Sequence, residues 1–350
     1  MGSNFQKTQL RRAKIIRFTV FFGFLAMLGI VLLVVENILL STVLAFVLSY
    51  LLSPAVNAFE RAGIHRIYAV TITYCVLGAV LGLGVGRVSP FVVQQVSSFR
   101  HEIPNYRQGT IELLVDWESK LTEITGSTIS LSDKANNLII DWTKSLFDDL
   151  PTFLSRSLTT ILLAPFFAFF LLKDGRNITK KVLALVPNSI FELVLDLHHQ
   201  INDQMAQFVR ARLLEAGIVG LAVWAGLAAF SFPYAFLLAS FAALLNLVPY
   251  LGPFIGAAPA VIMALINSNM EYGLLIVISV YSFAQLLDIF FIIPLVVAKI
   301  VDLHPVTVVV VIIIGAQLLG VLGMLISIPV TSALKVTFTA LHNHLTQFRA

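Results

Sequence analysis

The sequence predicts an all-α integral membrane protein: a polytopic helical bundle with broken or re-entrant helices and a small helical extramembrane insert. Three observations lead to this fold class. Of the 350 residues, 58% are hydrophobic and only 12% are charged, whereas soluble domains carry about 25% charged residues. The mean hydropathy is +0.91. Apolar runs long enough to cross a hydrocarbon core of about 30 Å recur along the chain.

Eight apolar segments are predicted to enter the membrane. They cover residues 17–35, 38–52, 67–85, 158–172, 216–230, 235–266, 272–297 and 306–341. Five basic residues, the last of them Arg17, precede or open the first segment. It lacks a small-residue cleavage site, so we expect a retained span rather than a signal peptide.

A change in composition predicts three parts: N-terminal transmembrane helices over residues 1–90, an acidic helical extracytoplasmic insert over 91–153, and a transport core over 154–350. The insert holds five Lys or Arg and nine Asp or Glu residues, and it has no apolar run of spanning length. Apolar residues between 111 and 124 recur at three- and four-residue steps, which predicts an amphipathic helix.

The distribution of basic residues predicts the orientation of the spans. Residues 1–17 hold five basic residues and no acid, and residues 173–212 hold six basic and four acidic residues. Both stretches are therefore expected in the cytoplasm, together with the C-terminus, and the insert on the opposite side. Basic residues that cluster beside spans do not indicate a nucleic-acid partner.

The segment NLVPYLGPFIGAAPAVIMAL, which starts at residue 246, is apolar but rich in proline and glycine. As one helix, residues 235–266 would extend about 48 Å, which overshoots the hydrocarbon core. We therefore predict a broken span or a re-entrant hairpin with its tip near residues 249–253. Irregular backbone is tolerated inside a bilayer where it lines a cavity or is buried in protein. Two proline-kinked structural helices are the alternative.

The same reasoning selects a set of residues for a transport pathway. Prolines interrupt the backbone ladder, glycines permit positive φ, and Asn and Tyr supply polar groups. From this segment the set comprises Asn246, Pro249, Tyr250, Gly252, Pro253, Gly256 and Pro259. The final apolar segment poses the same choice between hairpin and full span, and it adds Gly315, Gly320 and Gly323.

Asp288 is identified from the sequence as the only acid well inside a predicted span. An ionisable group at such a position by default marks an ion pathway or proton site. Gln285 lies three positions earlier on the same helix face, and it completes the predicted pathway. We hypothesise that Asp288 binds and exchanges a proton or a sodium ion. The alternative is that its carboxylate caps backbone amides freed by a nearby break. Arg212 is interpreted as a cytoplasmic anchor at the start of a span.

Three stretches resemble the autoinducer-2 exporter (AI-2E) family of bacterial transporters. They are LLKDG at 171–175, VRARLLEAGIVGLAVWAGLAAFSFPYAFLLASFAALLNLVPYLGPFIGA at 209–257, and QLLDIFFIIPLVVAKIVDLHPVTVVVVIIIGAQLLGVLGMLISIPVTSALKV at 285–336. The resemblance implies a multi-pass permease of the bacterial inner membrane and a homo-oligomer, with pentamers as the expected form. It also implies either export of a quorum-sensing signal or sodium (or lithium)/proton antiport.

Taken together, the sequence predicts a secondary transporter for a small polar solute such as an autoinducer-2-like molecule, coupled to Na⁺ or H⁺. A Na⁺(Li⁺)/H⁺ antiporter is the alternative within transport, and a non-transporting membrane scaffold is the alternative from another class. An enzyme is not expected. His198 and Asp203 have an acyltransferase-like HxxxxD spacing, but positions five apart on a helix do not face each other. No cofactor or metal site is predicted, because His342 and His344 diverge on a helix.

Overall fold

The structure is a computed structural model, and it describes residues 19, 23, 27, 29–30, 38–125, 131–143, 150–187, 190–248, 251–266, 272–297 and 303–347. Over these ranges the regular secondary structure is helical. The helices are α1 Ile38–Arg61, α2 Arg66–Thr125, α3 Leu131–Thr143, α4 Leu150–Leu185, α5 Phe191–Ala229, α6 Ala235–Asn246, α7 Leu251–Ile266, α8 Gly273–Leu287 and α9 Pro305–Gln347. Helix α8 continues without interruption as a π-helix, Asp288–Val297.

By length and composition, six of the described helices are apolar enough to cross a membrane. They are α1, α2, α4, α5, α8 and the second half of α9, while α6, α7 and the first half of α9 are shorter apolar helices. The predicted all-α polytopic fold is therefore confirmed. Most of the first predicted span, residues 17–35, lies outside the described residues.

Helix α2 contains both the third predicted span, residues 67–85, and the amphipathic helix predicted between 111 and 124. It runs for 60 residues and contains Pro90 and Pro104, so it is about 90 Å long at 1.5 Å per residue. The helix therefore continues past residue 90, where a boundary between the N-terminal spans and the insert is predicted, and the position of the membrane boundary stays a prediction. Each proline removes one backbone donor, but the neighbouring turns keep their hydrogen bonds. The amphipathic helix predicted between 111 and 124 is the distal part of α2.

The chain divides into two compact units. The first unit comprises residues 1–77, 158–210 and 300–350, and the second comprises 78–157 and 211–299. This division does not test the predicted three-part domain organisation, which stays a prediction.

In the first unit, α1, the start of α2 and α4 share a small apolar core that includes Val56, Val70 and Leu172. At the edge of this core, Arg66 donates from Nε to the carbonyl oxygen of Leu172 at 2.7 Å. The Arg66 guanidinium also pairs with Glu60 at 3.1 Å. These contacts attach the α1–α2 connection to α4.

In the second unit, α5, α6, α7 and α8 pack around a larger apolar core. Its members include Leu227, Leu238, Met263 and Val277, each almost fully buried. Glycines bring the helices close together. A β-carbon at Gly220 would lie 2.6 Å from the β-carbon of Ala243 on α6, so only a hydrogen fits there. Small residues at helix contacts are the usual means of tight packing between membrane helices. This four-helix assembly contains most of the predicted pathway.

Candidate functional site

Helices α6 and α7 form an antiparallel pair joined by a short break. A β-carbon at Gly252 would lie 2.7 Å from the Cα of Asn246, and one at Gly256 would lie 3.1 Å from the Cα of Ala242. Residues 246 and 252 therefore face each other near the break, and 242 and 256 face each other further away. This pairing arises only when the chain reverses direction between the helices. Pro249 and Tyr250, within the break, lie outside the described residues.

The individual prolines and glycines of this pair have roles that differ from the prediction. Pro253 is in the first turn of α7, where a backbone N–H has no intrahelical partner to lose. It therefore does not interrupt the ladder. Positive φ among the described glycines occurs at Gly63 and Gly320, so Gly252 and Gly256 are needed for close helix approach rather than for φ. Pro259 lies inside α7.

The tip of the helix pair borders a small cleft with room for about one water molecule. The cleft is lined by Asn246 and Gly252 at the tip, Tyr281 and Gln285 on α8, and Val219 and Val223 on α5. Tyr281 donates its hydroxyl to the carbonyl oxygen of Gly256 at 3.3 Å. Asn246 is only 5% exposed, and its Nδ2 has no hydrogen-bond partner. A buried amide donor without a partner is costly, so this position is suited to a polar ligand or a water molecule.

Asp288 lies one helical turn beyond Gln285 and is the first residue of the π-helix. It is buried, with 5% exposure, and its Oδ1 has no hydrogen-bond partner. π-helical turns are rare and frequently occur at functional sites. Asp288 is therefore a buried acid within an apolar helix, and its predicted place in a transport pathway and its role in coupling stay predictions.

A second buried acid accompanies Asp288. Glu215, at 2% exposure, lies on α5 one turn before Val219. Arg212, at 8% exposure, donates from Nη1 to Glu215 Oε1 at 2.6 Å, while Glu215 Oε2 has no hydrogen-bond partner. Helix α5 packs closely against α8, since a β-carbon at Gly226 would lie 2.6 Å from a methyl carbon of Val280, and Val219 and Gln285 line the same cleft. Glu215 and Asp288, each one turn beyond that cleft, interact electrostatically with each other, and Asp288 also with Arg212.

These observations extend two sequence-based interpretations. Asp288 is not the only buried acid of the described apolar helices. Arg212, interpreted as a cytoplasmic anchor, is also a buried partner of Glu215, and its side of the membrane stays a prediction. The i, i+3 spacing of Arg212 and Glu215 was the available signal, because residues three apart on a helix are neighbours.

The remaining predicted pathway residues lie in the first unit. Gly320, inside α9, has φ 61° and ψ −142°, which interrupts the helix there. Gly315 and Gly323 are in backbone contact, and a β-carbon at Gly315 would lie 3.0 Å from the β-carbon of Ser327. In a straight helix, residues eight apart are separated by about 12 Å. The two halves of α9 therefore fold back on each other at Gly320, as they would in a hairpin.

The structure thus brings together Asn246, Gly252 and Gln285 of the predicted pathway at one cleft. Asp288 lies one turn beyond Gln285, and Gly256 one turn from the tip. The glycines of α9 form a separate break in the other unit. Within the described residues, no three His, Cys, Asp or Glu side chains form a cluster able to hold a metal ion. His198 and Asp203 lie on the uninterrupted helix α5.

Several spanning helices, two broken helices and a buried acid pair beside one break are typical of membrane transporters. Sequence comparison gives the family. The model of the AI-2E family transporter matches residues 22–343, so this chain belongs to the AI-2E family.

Individual relatives extend over similar lengths. YueF of Bacillus subtilis strain 168, named "Putative transport protein YueF", is 28% identical over 314 residues, which are 87% of this chain and 84% of the relative. YrrI of the same organism is 25% identical over 87% of this chain and 86% of the relative. The "AI-2 transport protein TqsA" of Escherichia coli K12 is 25% identical over 86% of this chain and 85% of the relative.

Proposed function

We propose that this AI-2E family permease is a secondary transporter of a small polar solute and that its transport is coupled to a monovalent cation at Asp288. The observation that carries the proposal is the unpartnered amide of Asn246 at the tip of a broken helix pair. It lines the same cleft as Gln285, which is one turn before the buried Asp288. In ion-coupled carriers, broken helices meet substrate and ions in this way.

The lengths of α6 and α7 support a re-entrant arrangement. Helix α6 has 12 residues and α7 has 16, so they extend about 18 Å and about 24 Å, short of a core of about 30 Å. We infer that the pair enters and leaves on one side of the membrane. Its tip, and the cleft beside it, then lie within the bilayer. The cleft in this conformation accommodates about one water molecule, so solute binding requires the tip to move away from α8.

The relative TqsA motivates the choice of solute. That relative is named as an AI-2 transport protein, and an autoinducer-2-like molecule is therefore our first candidate for this chain. The basic flanks support a location in the bacterial inner membrane with both termini in the cytoplasm. A homo-oligomer, with a pentamer as the expected form, also belongs to this proposal, and native mass spectrometry of the solubilised protein tests it.

Flux into proteoliposomes tests the function directly. We expect uptake or efflux of a small polar solute that responds to an imposed proton or sodium gradient. Asp288→Asn is expected to lower gradient-driven flux at least about tenfold, because the neutral amide cannot exchange a proton or balance a cation. The matched control is Glu192→Gln, which removes an exposed acid from the first turn of α5.

The outcomes separate the alternatives. Cation-dependent proton movement without any organic solute would replace solute transport by antiport. Full gradient-driven flux in the Asp288→Asn variant would exclude the coupling role. If the wild type shows no flux of any kind, and alanine substitution of Pro249 and Pro253 leaves the cellular phenotype of the protein unchanged, a scaffold is favoured.

A further inference from the structure

The three ionisable side chains near the cleft do not balance in charge. Glu215 and Asp288 contribute two negative charges when both are ionised, and Arg212 contributes one positive charge, which leaves a net charge of −1. All three are more than nine-tenths buried. An uncompensated buried charge costs several kcal/mol, so an additional positive species is needed at this site.

Helices α6, α7 and α8 do not supply that charge. Helices α6 and α7 contain no ionisable residue. On α8 the ionisable side chain is Tyr281, whose hydroxyl donates to Gly256. Within the described residues 211–297, the charged side chains are therefore Arg212, Glu215 and Asp288.

The free carboxylate oxygens point to the kind of species that binds. Glu215 Oε2 and Asp288 Oδ1 are both buried without a hydrogen-bond partner. The cleft, which begins one turn away along each helix at Val219 and Gln285, holds about one water molecule. A metal cation must replace its lost water ligands with several protein oxygens. A proton needs no ligand shell and cancels the excess charge directly.

We propose that Glu215 and Asp288 together hold one proton, balanced against Arg212, and that this shared proton is the one exchanged during transport. Two interacting acids of this kind titrate as a pair, so the proton belongs to neither residue alone. Arg212 acts as a positioning residue that holds the second negative charge. Exchange of this proton during transport rests on the proposed function, whereas the presence of the shared proton does not.

The position of the pair explains how its charge state can respond to the tip of the helix pair. Glu215 precedes the cleft residues Val219 and Val223 by one and two turns of α5, and Asp288 follows Gln285 by one turn of α8. A movement of the α6–α7 tip that widens the cleft would admit water to both carboxylates. Hydration favours their ionised form, so opening the cleft releases the proton.

Infrared spectroscopy of the full-length protein in lipid tests the shared proton without any solute or gradient. The wild type is expected to show the carbonyl band of one buried protonated carboxyl group at neutral pH. Glu215→Gln and Asp288→Asn should each abolish the band, because the remaining carboxylate then pairs with Arg212. Glu192→Gln should keep it. Arg212→Gln should increase the band about twofold, because both acids then need a proton.

Several results would overturn the proposal. The shared proton is excluded if the wild type lacks the band or if either single variant retains it. Asp288→Glu, which preserves the carboxyl group, should retain the band and guards against loss through misfolding. If both single variants lose the band but keep full gradient-driven flux, the shared proton is not the one exchanged during transport, while solute transport itself stands. If the wild type shows the band but no flux, the proposed function fails and the proton site stands.

Discussion

At the scale of single residues, Gly256 determines how closely α6 and α7 approach. A β-carbon there would lie 3.1 Å from the Cα and 3.3 Å from the Cβ of Ala242. The Cα of Ala242 is part of the helix backbone and its Cβ is bonded directly to that backbone, so neither atom can rotate away. The two helices must separate to admit any side chain.

We therefore expect Gly256→Val to destabilise the protein by about 1–3 kcal/mol, the usual cost of overpacking. Thermal unfolding in detergent measures the change. Gly217→Ala on α5 is the control, because a β-carbon there meets nothing within 4 Å. It should be neutral or stabilise by up to about 1 kcal/mol. Equal melting temperatures for the wild type and the valine variant would contradict the close packing.

The sequence predicted some residues of the cleft and its buried acids, and there are physical reasons why it missed the others. Asp288 was predictable because a charge in an apolar helix is conspicuous. Glu215 was missed because it lies at the edge of an apolar run, where its burial depends on the helices packed against it. The role of Gly256 was misread because positive φ and close helix approach both select glycine, and the sequence does not distinguish them.

At the scale of helices, the distal part of α2 is attached to the base of the α6–α7 pair. Phe99 and Tyr106 pack against the core of the second unit. Glu102 accepts a hydrogen bond from the hydroxyl of Tyr106 at 2.9 Å and another from that of Tyr234. Tyr234 immediately precedes α6 and has a left-handed conformation, φ 55°, so the α5–α6 turn is held in place by this carboxylate.

Glu102→Gln should loosen that turn. Charged acceptors form stronger hydrogen bonds than neutral ones by about 1 kcal/mol, so amide exchange over residues 231–236 is expected to rise about fivefold. Hydrogen–deuterium exchange with mass spectrometry measures it. Glu112→Gln is the control, because Glu112 lies on an exposed face of α2 and accepts a hydrogen bond from the side chain of Gln108. Unchanged exchange in the Glu102 variant would show that the aromatic contacts alone fix the turn.

The break between α6 and α7 could be predicted from length, since 32 apolar residues exceed one membrane crossing. The π-helix Asp288–Val297 could not, because π-helical turns are rare and an internal proline, Pro294, predicts a disturbed helix without specifying its form. The continuity of α2 through Pro90 was missed for a related reason. Proline disfavours a helix interior, but a long helix with intact turns on both sides tolerates it.

At the scale of the whole molecule, composition alone was sufficient to predict an all-α membrane protein. It could not predict that residues 78–157 and 211–299 form one compact unit, because contacts between distant segments leave no periodic signal. The basic flanks, in contrast, predict an orientation that experiment can test directly.

Cysteine labelling in a Cys75→Ala background tests the orientation. Ala62→Cys, in the exposed α1–α2 connection, should react with a membrane-impermeant thiol reagent only after cells are permeabilised. Glu123→Cys, near the exposed end of α2, should react in intact cells once the outer barrier is passed. The two positions serve as controls for each other. The reverse pattern would invert the predicted topology.

The backbone conformation of Gly320 makes position 320 selective for the chirality of the residue that occupies it. Its φ of 61° and ψ of −142° mirror the extended region that L-residues readily occupy, and a β-carbon in the L position meets nothing within 4 Å. Chirality, not crowding, therefore reserves this position for glycine. In a semisynthetic protein, D-alanine at position 320 would keep the backbone relaxed, whereas L-alanine would strain it.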